Sequence, residues 1–287
     1  MIARPALACA LVAIASTLPG AAAADLVPER PTEEVPYVRT AQIVVDKMLS
    51  IAGVRGSDFL IDLGSGDGRI VLTAAKRFGT RGLGVDLDTT LVSQARESAR
   101  KAGLGDRVAF ERRDIFETDL RAATVVTMYL LPEYNLLLRP KLLAELRPGA
   151  RVVSHDWDMG EWAPDAQATV PVPDKPVGLR KESTIYLWIV PARVAGRWRA
   201  EVPRDGRSVP VELDLAQSFQ EIAGKARIEG REVPIERGRV SGTQILFRFE
   251  DGGRSWRFEG QTKGDRIVGR VSEAGGASRP WRAVRIE

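Results

Sequence analysis

Cysteine and histidine are almost missing from this chain: Cys9 and His155 are the only residues of their kinds among 287. A single cysteine excludes an intramolecular disulfide, a cysteine zinc site and an iron–sulfur cluster, and a single histidine leaves no histidine-rich metal centre. No metal site is expected. The sequence also lacks any block of like charge. Lys and Arg number 42 against 38 Asp and Glu, and this net +4 is dispersed, unlike the footprint of a nucleic-acid groove. Beyond residue 24 no apolar run is long enough to span a bilayer. What is there lies near the globular average, 44% hydrophobic and 28% charged, which supplies a sizeable core and is too apolar for a disordered chain. The length suits one large or two ordinary domains. Chemistry in such a chain depends on a borrowed organic cofactor.

Residues Met1 to Ala24 start with a basic Arg4, continue through an Ala/Leu/Val/Ile run and end in Leu18-Pro19-Gly20-Ala21-Ala22-Ala23-Ala24 before Asp25. Basic start, short apolar stretch, breaker and A-x-A site together predict a secretory signal peptide over 1–24, and hence a periplasmic or envelope protein. Left uncleaved, the same stretch would associate with a membrane. Cys9 lies too early to follow a complete apolar region as a lipoprotein cysteine would, so cleavage after Ala24 leaves no cysteine at all. Residues 25–36 are rich in Pro and Glu and read as a linker.

From 37 to 192 apolar runs alternate with helical patterns, which predicts an α/β unit with a Rossmann-like, doubly wound sheet. Thr40 is placed to cap a helix whose apolar face is Val44, Met48, Ile51 and Ala52. Strands are expected at 59–61, 82–85, 108–110, 124–128, 151–154 and 185–190, and helices at 70–78, 91–102 and 133–146, the last closed by Pro148-Gly149. Over 195–287 the period changes to two: Val211, Leu213, Leu215, then Ile245, Phe247, Phe249, then Trp256, Phe258, then Trp281 and Ile286. Turn signals at Asp205-Gly206, Asp251-Gly252-Gly253 and Gly275-Gly276 separate these runs, and a helical turn is the only other feature expected, near 217–222. A C-terminal antiparallel β domain follows, a small barrel or sandwich with the aromatics in its core.

Asp62-Leu63-Gly64-Ser65-Gly66-Asp67-Gly68 directly follows the first strand and leads into a helix. Glycines there let a ligand approach the backbone closely, beside the unpaired N–H groups of a helix start. A dinucleotide site wants its third glycine at the position of Arg69, whereas here it is Gly68, and the G-K-[ST] ending of a phosphate loop is missing. Asp86 ends the second strand, where a carboxylate accepts hydrogen bonds from both hydroxyls of a ribose. Asp114 ends the third, placed to receive an adenine amino group while Ile115 packs on the ring. Each carboxylate alone also fits a loop cap. Three of them at the carboxyl ends of successive parallel strands converge on one crevice. Asp67 reads as an exposed loop charge.

With these residues in place, the chain resembles the class I S-adenosylmethionine-dependent methyltransferases. More narrowly it is similar to their seven-β-strand protein lysine methyltransferases: small archaeal broad-specificity enzymes, and mitochondrial relatives that modify ATP synthase subunit c and the adenine nucleotide translocase. The resemblance is carried by Val35-Pro36-Tyr37-Val38, by Asp62 to Ile70, by Gly84-Val85-Asp86, by Thr124 to Leu131 with Asn135 and Leu138 to Leu142, and by Pro148 through His155 to Trp162. It covers about half the chain, and Arg39 and Ala41 stand where that branch usually has proline. It implies S-adenosyl-L-methionine as cofactor. Asp62, Gly64, Ser65, Gly66 and Gly68 would hold the methionine end, Asp86 the ribose, and Asp114 with Ile115 the adenine. Tyr37 and Thr40 would close over it, Met128 and Tyr129 would flank the methyl group, and Asn135 would lie just beyond.

The implied reaction is methyl transfer to lysine amines of a protein substrate, a direct displacement that needs alignment and a dry site but no nucleophilic residue of the enzyme. Tyr129 and Asn135 are the candidates for the acceptor channel, and His155 is an orienting residue or a base. Two other readings stay open here: a methyltransferase for a small molecule or lipid, with the β domain as carrier, and a non-catalytic envelope binding protein that keeps the fold.

Overall fold

A computed structural model describes residues 37–287 apart from 179, 205 and 275. The expected signal segment with Cys9, the 25–36 linker, Val35-Pro36, Asp205 and Gly275 lie outside the described residues.

The first half is a seven-stranded sheet with helices on both faces. In chain order its elements are α1 (Gln42–Ile51), β1 (Phe59–Leu63), α2 (Arg69–Phe78), β2 (Arg81–Asp86), α3 (Thr89–Lys101), β3 (Val108–Arg112), β4 (Val125–Met128), α4 (Pro132–Glu145), β5 (Arg151–His155), β6 (Ala166–Pro171) and β7 (Glu182–Ile189). The strand order is β3-β2-β1-β4-β5-β7-β6, in which β7 alone runs against its neighbours β5 and β6. The chain reverses its direction of travel between β1 and β4, and that switch point opens a crevice at the carboxyl ends of the strands. The central strands are buried on both faces, so they read as continuous apolar runs. Val44, Met48, Val71, Ala74, Val92 and Ala95 of α1, α2 and α3 cover one face. Leu138 and Leu142 of α4, with Leu120 and Trp162, cover the other.

Local chemistry sets most element ends. Asp88 caps α3, its Oδ1 accepting from the N–H groups of Thr90 (2.7 Å) and Leu91 (3.1 Å). Pro132 occupies the first turn of α4, where its missing N–H costs nothing. The expected Thr40 cap is not formed: Ala41 is the cap residue of α1 and no side chain serves it, because the Thr40 hydroxyl turns inward to His155. One strand, β6, was not expected from the sequence. It is an edge strand, exposed at alternate positions and ended by Pro171, so it carries no apolar run to announce it.

The second half is a closed eight-stranded antiparallel barrel. Its strands are β8 (Gly196–Arg204), β9 (Arg207–Ser218), β10 (Glu221–Ile228), β11 (Arg231–Ser241), β12 (Gln244–Asp251), β13 (Arg254–Lys263), β14 (Arg266–Glu273) and β15 (Arg279–Arg285). Closure comes from β8, which pairs with both β15 and β9. Strict alternation along β9 sends Val209, Val211, Leu213 and Leu215 inward. Trp198, Phe247, Phe258 and Trp281 fill the interior, with Phe247 and Phe258 stacked at 4.7 Å and Trp281 edge-on to both. The helical turn expected near 217–222 is instead the Phe219-Gln220 tip of the β9–β10 hairpin. Ile286 does not join the core; it follows β15 and is exposed. No helix among the described residues is long and apolar enough to cross a membrane.

Candidate functional site

The carboxyl end of β1 runs into the glycine loop, and the first notable side chain is still inside the strand. Asp62 is buried, and its Oδ1 accepts a 2.6 Å hydrogen bond from the Thr127 hydroxyl of β4, while Oδ2 has no partner. Burial pushes this carboxyl up to about 7; the Thr127 bond pulls it down, and the nearby charges of Asp86 and Asp67 add to the rise. The buried Ser65 hydroxyl lies close enough to Asp62 to pull its carboxyl down as well, yet it makes no well-formed hydrogen bond. Buried polar atoms are almost always satisfied, so two orphans beside one glycine loop mark a place for polar ligand atoms. Gly64, Gly66 and Gly68 all have left-handed φ (74°, 55° and 78°). A Cβ on Gly66 would lie 2.3 Å from the Tyr37 ring, and one on Gly84 would lie 2.3 Å from the Ser65 hydroxyl. The loop is therefore shaped by close approach as well as by backbone conformation.

Asp86 ends β2 and braces this loop. Its Oδ2 accepts from the Gly66 N–H (2.8 Å) and its Oδ1 from the Asp88 N–H (3.0 Å), leaving further lone pairs on each oxygen for hydroxyl donors. Asp114 lies two residues beyond the end of β3, not on it. Its Oδ1 accepts from the Phe116 N–H (2.8 Å), and Ile115 is partly buried beside it. Tyr37 lies over Gly66. Burial and the Asp67 charge raise its phenol to about 12. Asp67 is not the exposed loop charge expected: it is three-quarters buried, and Arg69 grips it with Nε 2.9 Å from Oδ1. Burial raises the Asp67 carboxyl, against the Tyr37 hydrogen bond and Arg39. Arg69 also donates 2.7 Å to the Thr40 carbonyl, so the residue that replaces a dinucleotide-type glycine ties the lead-in to α1 onto the loop.

Across the switch point, side chains alternate between the two faces of the sheet. Thr127 of β4 and His155 of β5 share the face of Asp62. Met128 of β4 and Ser154 of β5 share the other. Met128 is fully buried in the core beneath α4; its side chain is thus on the face opposite to Asp62, and only its backbone stands at the strand end. Asn135, also fully buried, donates from Nδ2 to Ser154 Oγ (3.0 Å) and to the carbonyls of Trp157 (3.1 Å) and Asp158 (3.3 Å), with its Oδ1 unpartnered.

Tyr129, just past β4, packs against the His155 ring at 3.8 Å between centroids, tilted by 31°. Burial first, then the Asp156 carboxylate to which it hydrogen-bonds, raises its phenol to about 12. His155 Nε2 lies 2.9 Å from Ser183 Oγ and Nδ1 3.5 Å from Thr40 Oγ1. Burial lowers the imidazole to about 4, so it is neutral at neutral pH. Asp156, at φ 64°, pairs with Lys175 at 2.6 Å and accepts from the Thr184 N–H at 3.0 Å.

Sequence reasoning missed Thr127, Asp156, Lys175, Ser183 and the role of Arg69. Asp156 could have been noticed as the residue after a strand; Lys175 and Ser183 come from the β6–β7 region, whose pairing no local signal fixes. Among the described residues no three His, Cys, Asp or Glu side chains converge as a metal site.

An adenosyl sulfonium donor with a charged amino acid end fits this set. Asp62 Oδ2 and Ser65 Oγ are buried polar atoms with hydrogen-bonding capacity to spare, Asp86 offers lone pairs to hydroxyls, and the loop glycines leave the backbone bare where Leu130, Tyr37 and Phe110 close in on it.

The profile of the ANTKMT methyltransferase domain matches residues 62–166. The protein-lysine N-methyltransferase of Saccharolobus islandicus is 41% identical over 157 residues, which is 54% of this chain and 94% of that protein. The adenine nucleotide translocase lysine N-methyltransferase of Mus musculus is 42% identical over 134 residues, and the chain spans 58% of its length. Among solved structures, an RNA methyltransferase from Salinibacter ruber in complex with S-adenosyl-L-homocysteine shares 49% identity and a TM-score of 0.49, covering 55% of this chain and 96% of that one.

Proposed function

The chain belongs to the S-adenosylmethionine-dependent methyltransferase family that includes the Saccharolobus islandicus protein-lysine N-methyltransferase, and from this premise we propose that it methylates lysine side-chain amines of protein substrates. One observation carries the reading: the adjacent carboxyl ends of β1, β4 and β5 bring the unpartnered Asp62 and Ser65 atoms and an aromatic and carboxylate cluster, Tyr129, His155 and Asp156, to one edge of the sheet. The first suits a donor and the second an amine.

S-adenosylmethionine bound there supplies a methyl group carried on a positively charged sulfur. Asp62, Ser65 and the loop backbone would hold its methionine end, Asp86 its ribose, and Asp114 with Ile115 its adenine. Tyr37, its ring against Gly66, would close over the loop, and Thr40 lies buried behind it. An acceptor lysine has an ordinary pKa of ~10.4 and must arrive without its proton. The ring of Tyr129 walls a poorly solvated entry, and desolvation there lowers the ammonium pKa. Tyr129 keeps its own proton, and the Asp156 carboxylate beside it is paired with Lys175 at 2.6 Å, which offsets the rise that an unpaired anion would cause. His155, neutral and engaged at both ring nitrogens, orients Tyr129 and Thr40 and is not the base. What this chain's residues would contribute to methyl transfer is alignment of the amine with the donor.

The test is transfer of labelled methyl by the purified full chain to envelope proteins and, separately, to lipid and small-molecule extracts. Label on lysine in the protein fraction, located by mass spectrometry, is the expected result; label confined to the extracts overturns the lysine reading. We also propose export, from the signal pattern of residues 1–24. N-terminal sequencing of the protein from cells should then begin at Asp25, and a cytosolic form starting at Met1 overturns it.

A further inference from the structure

One of the hairpins by which the barrel meets the methyltransferase half is unusual. Each of the other described barrel tips has a left-handed glycine, Gly230 (after Glu229 at φ 48°), Gly242, Gly252 with Gly253, and Gly264, whereas the β9–β10 tip has none. The β9–β10 tip holds Phe219 there instead, at φ 52°, followed by Gln220. A bulky side chain in that region is strained and persists only where its surroundings over-determine it. They do so here. The Phe219 ring packs against the core beneath α4, outside the barrel, stacked on Trp162 at 6.1 Å and 10° and under the Arg139 guanidinium at 5.3 Å. Buried Gln220 donates 2.7 Å to the Ala163 carbonyl. The tip is fixed from behind, since Gln217 Nε2 donates to the Phe219 carbonyl and the Val240 N–H to the Gln220 carbonyl, both at 2.7 Å.

What the tip grips is the 156–163 segment. Arg139, under which Phe219 sits, donates 2.8 Å to the Met159 carbonyl. Trp162, on which it stacks, is fully buried, and its carbonyl accepts 2.7 Å from Trp188 Nε1. The same segment begins with Asp156 and supplies the Trp157 and Asp158 carbonyls that hold Asn135. We propose that the Phe219-Gln220 tip is a positioning element for the methyl-acceptor side of the site, splinting 156–163 and through it Asn135 and Asp156. The barrel then acts on turnover from the scaffold without touching substrate. The kinetic half of this inference rests on the proposed acceptor reading; the structural half does not.

The experiment compares the full chain with Phe219→Gly, which relaxes the left-handed strain and keeps the turn, and with Phe219→Tyr, which keeps the ring. In Phe219→Gly, amide hydrogen exchange over 157–163 should quicken by ~10-fold while exchange over 64–68 and the S-adenosylmethionine Kd move by less than about twofold. The kcat/KM for a protein acceptor should fall by ~10-fold, and Phe219→Tyr should stay near wild type in both readouts. Unchanged exchange over 157–163, equal quickening at the glycine loop, or faster exchange with unaltered turnover each overturns the proposal. If the wild-type chain methylates no lysine acceptor, the acceptor reading falls, and the exchange result still decides whether the tip holds the segment.

Discussion

At Asp62 the sequence and the structure contribute different halves of one fact. A carboxylate at the end of a buried strand before a glycine loop is readable from the residue string, because strand, turn and helix start follow one another locally. Its protonation is not readable. That depends on burial raising the carboxyl to about 7, against Thr127, 65 residues away, whose hydroxyl donates to it, and a smaller pull from Ser65. A cationic group placed at the orphaned Oδ2 favours the ionised form and lowers that pKa again, so ligand binding near pH 7 releases protons. Titration calorimetry with S-adenosylmethionine in two buffers of different ionisation enthalpy should show a release of up to about half a proton more for wild type than for Asp62→Asn. The difference cancels the ligand's own ionisation, and identical values for the two proteins would remove Asp62 from the binding site. Thr40 shows the reverse case: a Thr before a helical pattern reads as a cap, yet a buried histidine 115 residues away claims its hydroxyl.

Among the elements, the central strands and α2, α3 and α4 were legible because each buries a continuous run or stripe within one short segment. Four barrel strands, β9, β12, β13 and β15, announced themselves by alternating large apolar residues; β8, β10, β11 and β14 did not, since glycine, proline and outward charges interrupt them. Joints between elements are least legible. His155 joins three of them, facing Thr40 ahead of α1, Ser183 of β7 and Tyr129 beyond β4. Its imidazole is depressed to about 4 by burial, so between about pH 6.5 and 4 the unfolded chain binds a proton that the folded chain refuses. Stability therefore falls with falling pH across that window, by about 3 kcal/mol. Asp62 acts in the opposite sense: its raised carboxyl holds a proton from about pH 7 down to the ordinary carboxylate range, so acid adds about 4 kcal/mol. Urea denaturation between pH 7 and 4 should show His155→Gln becoming relatively more stable in acid and Asp62→Asn relatively less stable, each against wild type. Parallel profiles for all three proteins would mean that neither group titrates as its burial requires.

For the whole molecule, the sequence marks a change of period near residue 191 but carries no sign that the two halves are fused. The seam is built from contacts between residues far apart in the chain. Arg239 of β11 pairs with the well-buried Asp165 at 2.8 Å, whose other oxygen accepts from the Ile189 N–H of β7. Ala192 donates to the Gly242 carbonyl, and Gln217 spans Ala192 and Val194. With Phe219 and Gln220 added, the seam is apolar, charged and hydrogen-bonded at once, and opening it leaves Asp165 without its cation and Trp162 without its cover. Arg239 is partly exposed, so this pair contributes only about 1 kcal/mol, but with about 2 kcal/mol for burying the Phe219 ring and the buried hydrogen bonds of Gln217 and Gln220 the seam is a sizeable share of the ~5 to 15 kcal/mol that holds a domain folded. Neither half should therefore melt while the other stays native. Calorimetry of the full chain should give one transition over 37–287, with calorimetric and van't Hoff enthalpies agreeing. Combining Phe219→Gly with Arg239→Ala removes both the ring and the cation, and should split the melt into two transitions. Two well-separated transitions in the wild-type protein would show that the seam does not couple the barrel to the sheet, and the positioning role argued for its hairpin would lose its mechanical basis.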